Sequence, residues 1–91
     1  MSASGPYEIF PEAGGFWFSF VKNGKFAGAL LAEGRSFDAA FKWSWDKGLN
    51  PGGEIKGLPI EQATWDRVPA HFRNKLLTFE ECLQFDREMS P

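Results

Sequence analysis

Residues 16 to 32 are almost continuously apolar outside one turn, with Phe16-Trp17-Phe18-Ser19-Phe20-Val21-Lys22 and Lys25-Phe26-Ala27-Gly28-Ala29-Leu30-Leu31-Ala32 flanking the dipeptide Asn23-Gly24. Short apolar runs bounded by a turn signal mark strands, and Asn-Gly suits a two-residue turn with positive φ at both central positions. The segment predicts a β-hairpin. Such a turn sets Phe20 opposite Ala27, Phe18 opposite Ala29 and Phe16 opposite Leu31 on one face, with Trp17 beside Leu30 and Val21 beside Phe26 on the other. Both faces are then apolar, which calls for helices over both or a partner over one.

Around the hairpin the pattern changes period. Tyr7-Glu8-Ile9-Phe10 reads as a short strand stopped by Pro11 and Gly14-Gly15. Beyond Gly34, Ser36 caps a helix from Phe37 to Lys47, with Asp38 in its first turn and Gly48 at its end. Phe37, Ala40, Phe41, Ser44 and Trp45 share its apolar stripe, and Trp43 falls off it. Asn50-Pro51-Gly52-Gly53 turns the chain into a further strand, Glu54 to Leu58, broken by Pro59. A helix is predicted from Asp66 to Lys75, with Pro69 early in it. Thr78-Phe79-Glu80-Glu81 is a capping box opening a last helix toward Met89, with Phe79, Cys82, Leu83 and Asp86 on one side.

These elements predict one α+β domain spanning residues 1–91: an antiparallel sheet of three to four strands in the order β-β-β-α-β, then one or two C-terminal helices packed on the sheet. A chain of 91 residues buries only about 60 to 65% of its unfolded surface, enough for a single core.

Composition changes the picture in one respect. Ten Phe, four Trp and one Tyr make up 16% of the chain, and each ring needs about 150 to 250 Å² of cover. A two-layer interior this small cannot hide them all, so some rings are expected in a contact surface. Trp17, Phe26, Trp43 and Trp65 fall off the best core-facing stripes and are the candidate partner-binding residues.

Charge and chemistry narrow the function. A net charge of -2 demotes phosphate-driven binding, which needs an excess of Lys and Arg on one face. A single-stranded nucleic-acid domain, stacking bases on the hairpin rings beside Lys22, Lys25 and Lys56, is the runner-up. His71 and Cys82 are the candidates for nucleophilic catalysis, but Cys82 sits at a core-facing position where a thiol behaves as a small hydrophobe. No metal site is expected from two such residues eleven positions apart, and the scattered glycines match no cofactor fingerprint.

With one cysteine, no basic-then-apolar leader and no apolar run of membrane length, the chain reads as cytoplasmic, with no membrane partner. Arg67, Arg73 and Lys75 are locally basic while the last helix is acidic, an asymmetry suited to docking two copies or orienting a partner. A homodimer would also use the aromatic surplus.

The order formed by Tyr7 to Phe10, Gly15-Phe16-Trp17-Phe18-Ser19-Phe20, Glu33-Gly34 and Ser36-Phe37-Asp38-Ala39-Ala40 resembles the β-β-β-α-β module of HicB-type antitoxins over roughly the first two-thirds of the chain. It departs from them in its Asn23-Gly24 hairpin, its closing helices and the lack of an added DNA-binding segment. The resemblance implies a protein that neutralises a partner by direct contact. In general style the chain is also similar to phage-encoded inhibitors of bacterial defence systems, including anti-CRISPR proteins. The expected function is a small non-enzymatic intracellular protein-binding module, an inhibitor or regulator acting through an aromatic-rich surface.

Overall fold

The structure is a computed structural model that describes residues 9–90. Strands β1 (Ala13–Lys22) and β2 (Lys25–Glu33) form the hairpin, followed by helix α1 (Phe37–Asp46), strand β3 (Glu54–Glu61), the one-turn helix α2 (Gln62–Trp65), a 3-10 turn (Ala70–Phe72), the two-residue strand β4 (Leu76–Leu77) and helix α3 (Phe79–Met89). The four strands make one antiparallel sheet in the order β3-β1-β2-β4. This is an α+β fold with a C-terminal helix on the sheet. The fourth strand of the sheet is β4; of the expected strand Tyr7 to Phe10, Ile9 makes an isolated bridge to Ser36, and Tyr7 and Glu8 lie outside the described residues.

The hairpin turn has positive φ at both Asn23 (54°) and Gly24 (75°), so Lys22 pairs with Lys25 and Val21 with Phe26. The register then shifts at a bulge between Phe20 and Val21, where Phe20 pairs with Gly28 and Ala27 is the extra residue. Gly28 holds φ 141°, and Leu76 lies where its Cβ would be, so glycine alone fits there. The expected pairs Phe18 with Ala29 and Trp17 with Leu30 are corrected to Phe18 with Leu30 and Trp17 with Leu31.

This shift sorts the two faces cleanly. Phe16, Phe18, Phe20, Leu30 and Ala32 bury one face under α1. Ala29, Leu31 and Leu77 bury the other with Trp65, Val68 and Phe72, flanked by Trp17, Cys82, Phe85 and Met89. Helices thus lie on both sides of the sheet.

Ser36 caps α1 by accepting from the Ala39 amide at 3.2 Å. The buried centre of that helix is Ala40 and Ser44, whose small side chains bring it close to the phenylalanine row. Trp43, expected off the stripe, is half-buried against this core, and Trp45, expected on it, is exposed. The predicted helix from Asp66 to Lys75 is replaced by α2 and the 3-10 turn, with Pro69 as the cap residue of the latter. Pro69 lacks an N–H and disfavours helical geometry at Val68, which separates the two short pieces.

Thr78 and Glu81 close the predicted capping box with hydrogen bonds of 3.0 and 3.1 Å. Lys75 donates to Glu81 at 2.6 Å. That bond first, then the Thr78 amide, holds the Glu81 carboxyl below its ordinary value.

Candidate protein-contact surface

Two flanks of α3 behave differently. At 100° per residue, Cys82, Phe85 and Met89 form the stripe that faces the sheet. Glu81 and Glu88 lie on the flank toward β4 and the 3-10 turn, where they meet Lys75 at 2.6 Å and His71 at 3.9 Å. The opposite flank, carrying Phe79, Leu83 and Asp86, therefore turns toward the β1–β3 side of the sheet. The expected stripe of Phe79, Cys82, Leu83 and Asp86 is corrected: the helix is rotated by most of a quarter turn, and Phe85 and Met89 take the buried places.

The floor beside that flank comes from strand alternation. Gly57 sits under Phe37 and beside Phe18, on the α1 face, so its neighbours Lys56 and Leu58 point to the α3 face. Lys56 pairs with Ser19, and Leu58 with Trp17. Helix α3 overlies β2 and β4, and α2 closes the Gly14–Gly15 end of β1. The β1–β3 half of the face, nearer the hairpin turn, is left open.

The result is a trough with a helix for one wall. Its apolar lining is Leu58 at 64% exposure, Phe79 at 60%, Leu83 at 43% and Phe26 at 42%, with half-buried Val21 between. Phe26 meets Phe79 edge to face, centroids 5.9 Å apart. At its inner edge Trp17 stacks on Phe85 at 5.6 Å and 20°.

Of the four candidates read from the sequence, Phe26 lines the trough and Trp17 borders it. Trp43 lies on the other face of the sheet, packed beside α1. Trp65, expected at the surface, is 1% exposed, because Gly14 and Gly15 let β1 approach its side chain directly. Sequence reasoning missed Leu58, Phe79 and Leu83. The Phe79–Leu83 spacing of four was a readable signal for a second apolar flank.

The two candidate catalytic residues have different surroundings. His71 is exposed beside Glu88, with its ring 4.2 Å from that of Phe72. Burial first, then Asp86 and Glu81, pushes the Cys82 thiol up, away from the thiolate a nucleophile needs. In the folded protein Cys82 is therefore expected to react with a disulfide reagent at pH 7 at least about tenfold more slowly than after denaturation. Equal rates would contradict its burial. Among the described residues no group of three or more His, Cys, Asp or Glu could hold a metal ion, and no helix is long and apolar enough to cross a membrane.

A second concavity, a groove of about 220 Å³ at the far end of β3, is lined by Phe10, Pro11, Glu12, Ala13, Pro59 and Glu61. Its two acids come with no base beside them. No family model, curated protein or solved structure matches this chain.

Proposed function

We propose that the protein is a non-enzymatic protein-binding module, an inhibitor or regulator of its partner, and that the trough between α3 and β3 is its contact surface. The carrying observation is the exposure of Phe26, Leu58, Phe79 and Leu83, with Phe26 and Phe79 meeting edge to face, on a domain whose other aromatic rings are largely packed. Patches of a few hundred Å² on small domains are commonly interaction sites. Phe79 and Phe26 would be anchors of the kind that dominate interface energetics. Protein suits this surface better than nucleic acid, because Lys56 is the one basic residue on its floor while Asp86 stands on the helix wall.

The reading makes a direct prediction. Leu58→Glu and Phe79→Glu should each weaken binding at least about a hundredfold, since a charge would be desolvated at the centre of the contact. Trp45→Glu, on the other side of the sheet, should bind as wild type. The measurement is recovery of partners from native-host lysate by the three variants, with labelled oligonucleotides titrated at two salt concentrations alongside. Partners recovered equally by all variants would sink the surface. Oligonucleotide binding that falls steeply with salt and is lost with Phe79→Glu would give the trough to single-stranded nucleic acid instead.

A further inference from the structure

We propose a second contact site, independent of the trough: the free edge of β3 takes an extended segment of a different protein as a fifth strand, and a Lys or Arg side chain of that segment enters the groove at the end of the edge. The sheet ends on one side at β4, which has two residues, and on the other at β3, which has eight. Pro59 lies opposite Phe16 but has no N–H, so these two residues cannot exchange hydrogen bonds. The bonded pairs are therefore Leu58 with Trp17 and Lys56 with Ser19, and the N–H and C=O groups of Ile55 and Gly57 point away from β1. Among the described residues no hydrogen bond from outside the sheet reaches either of them. An extended chain matches donors and acceptors at that spacing.

Main-chain pairing gives out at Pro59, where the edge presents a carbonyl alone. There the groove of about 220 Å³ opens, with Phe10, Pro11, Glu12, Pro59 and Glu61 in its wall. Ile55 packs in the cluster under α1 and Ile60 in the cluster on the other face, so strand alternation puts Pro59 and Glu61 on the α1 face and Glu54, Lys56 and Leu58 on the opposite one. Phe10 joins from the α1 side, edge to face with Phe16. Glu12 and Glu61 are both exposed, and no base lines the groove with them. Arg35 holds the Phe10 amide through its carbonyl at 2.7 Å and is not in the groove wall. Phe10, Pro11 and Pro59 suit the aliphatic stem of a Lys or Arg, and the two carboxylates suit its charge. A second copy does not supply that residue. Paired antiparallel about a two-fold axis, it keeps the α1 faces on one side, where β3 carries Ile55, Gly57, Pro59 and Glu61, and brings no cation to the groove.

Hydrogen exchange of the full chain tests the edge. The Ile55 and Gly57 amides should exchange at least about a hundredfold faster than those of Lys56 and Leu58. Protection of Ile55 and Gly57 without any peptide overturns the proposal: at all concentrations it means that the chain covers its own edge, and only at high concentration that a second copy does. A phage-displayed library of random linear peptides of about ten residues, enough to run past β3 at about 3.3 Å per residue, should then enrich sequences with Lys or Arg at one fixed place. Methylating single backbone nitrogens along an enriched peptide should weaken binding at least about tenfold at alternate positions and little in between. Glu12→Lys combined with Glu61→Lys should weaken the same peptide at least about tenfold and favour its variant with Glu in place of the base, which a loss of folding would not do. Leu58→Glu, in the trough, should leave the affinity unchanged. No enrichment, tolerance of N-methylation throughout, or indifference to the charge exchange overturns the proposal. Peptides lost with Leu58→Glu would belong to the trough, which supports that reading and ends this one.

Discussion

Replacing Trp65 by Ala is expected to cost about 3 to 5 kcal/mol, a large part of the roughly 5 to 15 kcal/mol that holds a domain of this size folded. Trp65 is the largest of the fully buried side chains. It sits where α2 crosses the start of β1, with Val68, Phe72, Leu31 and Leu77 in the same cluster. Arg73 lies 4.7 Å above its ring and donates to the carbonyls of Trp65 and Val68 at 2.5 and 3.1 Å. Removing the indole opens a cavity under β1 and takes away the surface on which Arg73 rests. Urea denaturation of the variant beside Trp45→Ala provides the measurement. Trp45 is 52% exposed and its loss should cost under about 1 kcal/mol. Equal midpoints for the two variants would mean that Trp65 is not core.

That prediction also marks where the sequence stops being informative. The hairpin, the Ser36 cap and the Thr78 capping box depend on residues within four positions of each other, and the structure has all three. Trp65 lies in a polar stretch with no helical period to read, and what buries it is Gly14-Gly15, some fifty residues earlier in the chain. No local pattern reports such a contact.

The two long helices show a subtler limit. In α1 the stripe drawn through the largest side chains was centred near Phe41, but the sheet is met by Ala40 and Ser44, since small residues permit close approach to the row of Phe16, Phe18 and Phe20. That small rotation exchanges Trp43 and Trp45. In α3 two apolar flanks share Cys82, and the sequence alone does not choose between them. Tertiary partners decide: Lys75 and His71 lie on the Glu81–Glu88 side, which fixes the rotation and leaves Phe79 and Leu83 out. The candidate surface is thus the remainder of a packing choice, which is why only its Phe26 was legible beforehand.

The bulge at Phe20 is the third such case. A hairpin register extrapolated from its turn holds only until an extra residue enters, and every pair beyond it moves by one. Gly28 is the trace left in the sequence, a glycine inside an otherwise apolar strand. Its position under Leu76 is set by the short strand β4, far along the chain.

Gly15→Ala should destabilise the fold by about 1 to 3 kcal/mol, as overpacking of a filled core does, and the same substitution should cost less once Trp65 is also Ala. A methyl group at residue 15 would overlap the six-membered ring of Trp65 and come within 2.8 Å of the Ala32 carbonyl oxygen. The ring is fully buried and has nowhere to turn, and the carbonyl belongs to the neighbouring strand, which pairs here with β1. Truncating Trp65 removes the first obstacle and leaves the second. The two variants and their combination form a double-mutant cycle in which the measured coupling should be about 0.5 to 3 kcal/mol, the pair costing less than the sum of its parts. Strict additivity would show that the close approach of β1 to Trp65 is not what requires glycine at residue 15, and would remove the packing argument for the burial of that tryptophan.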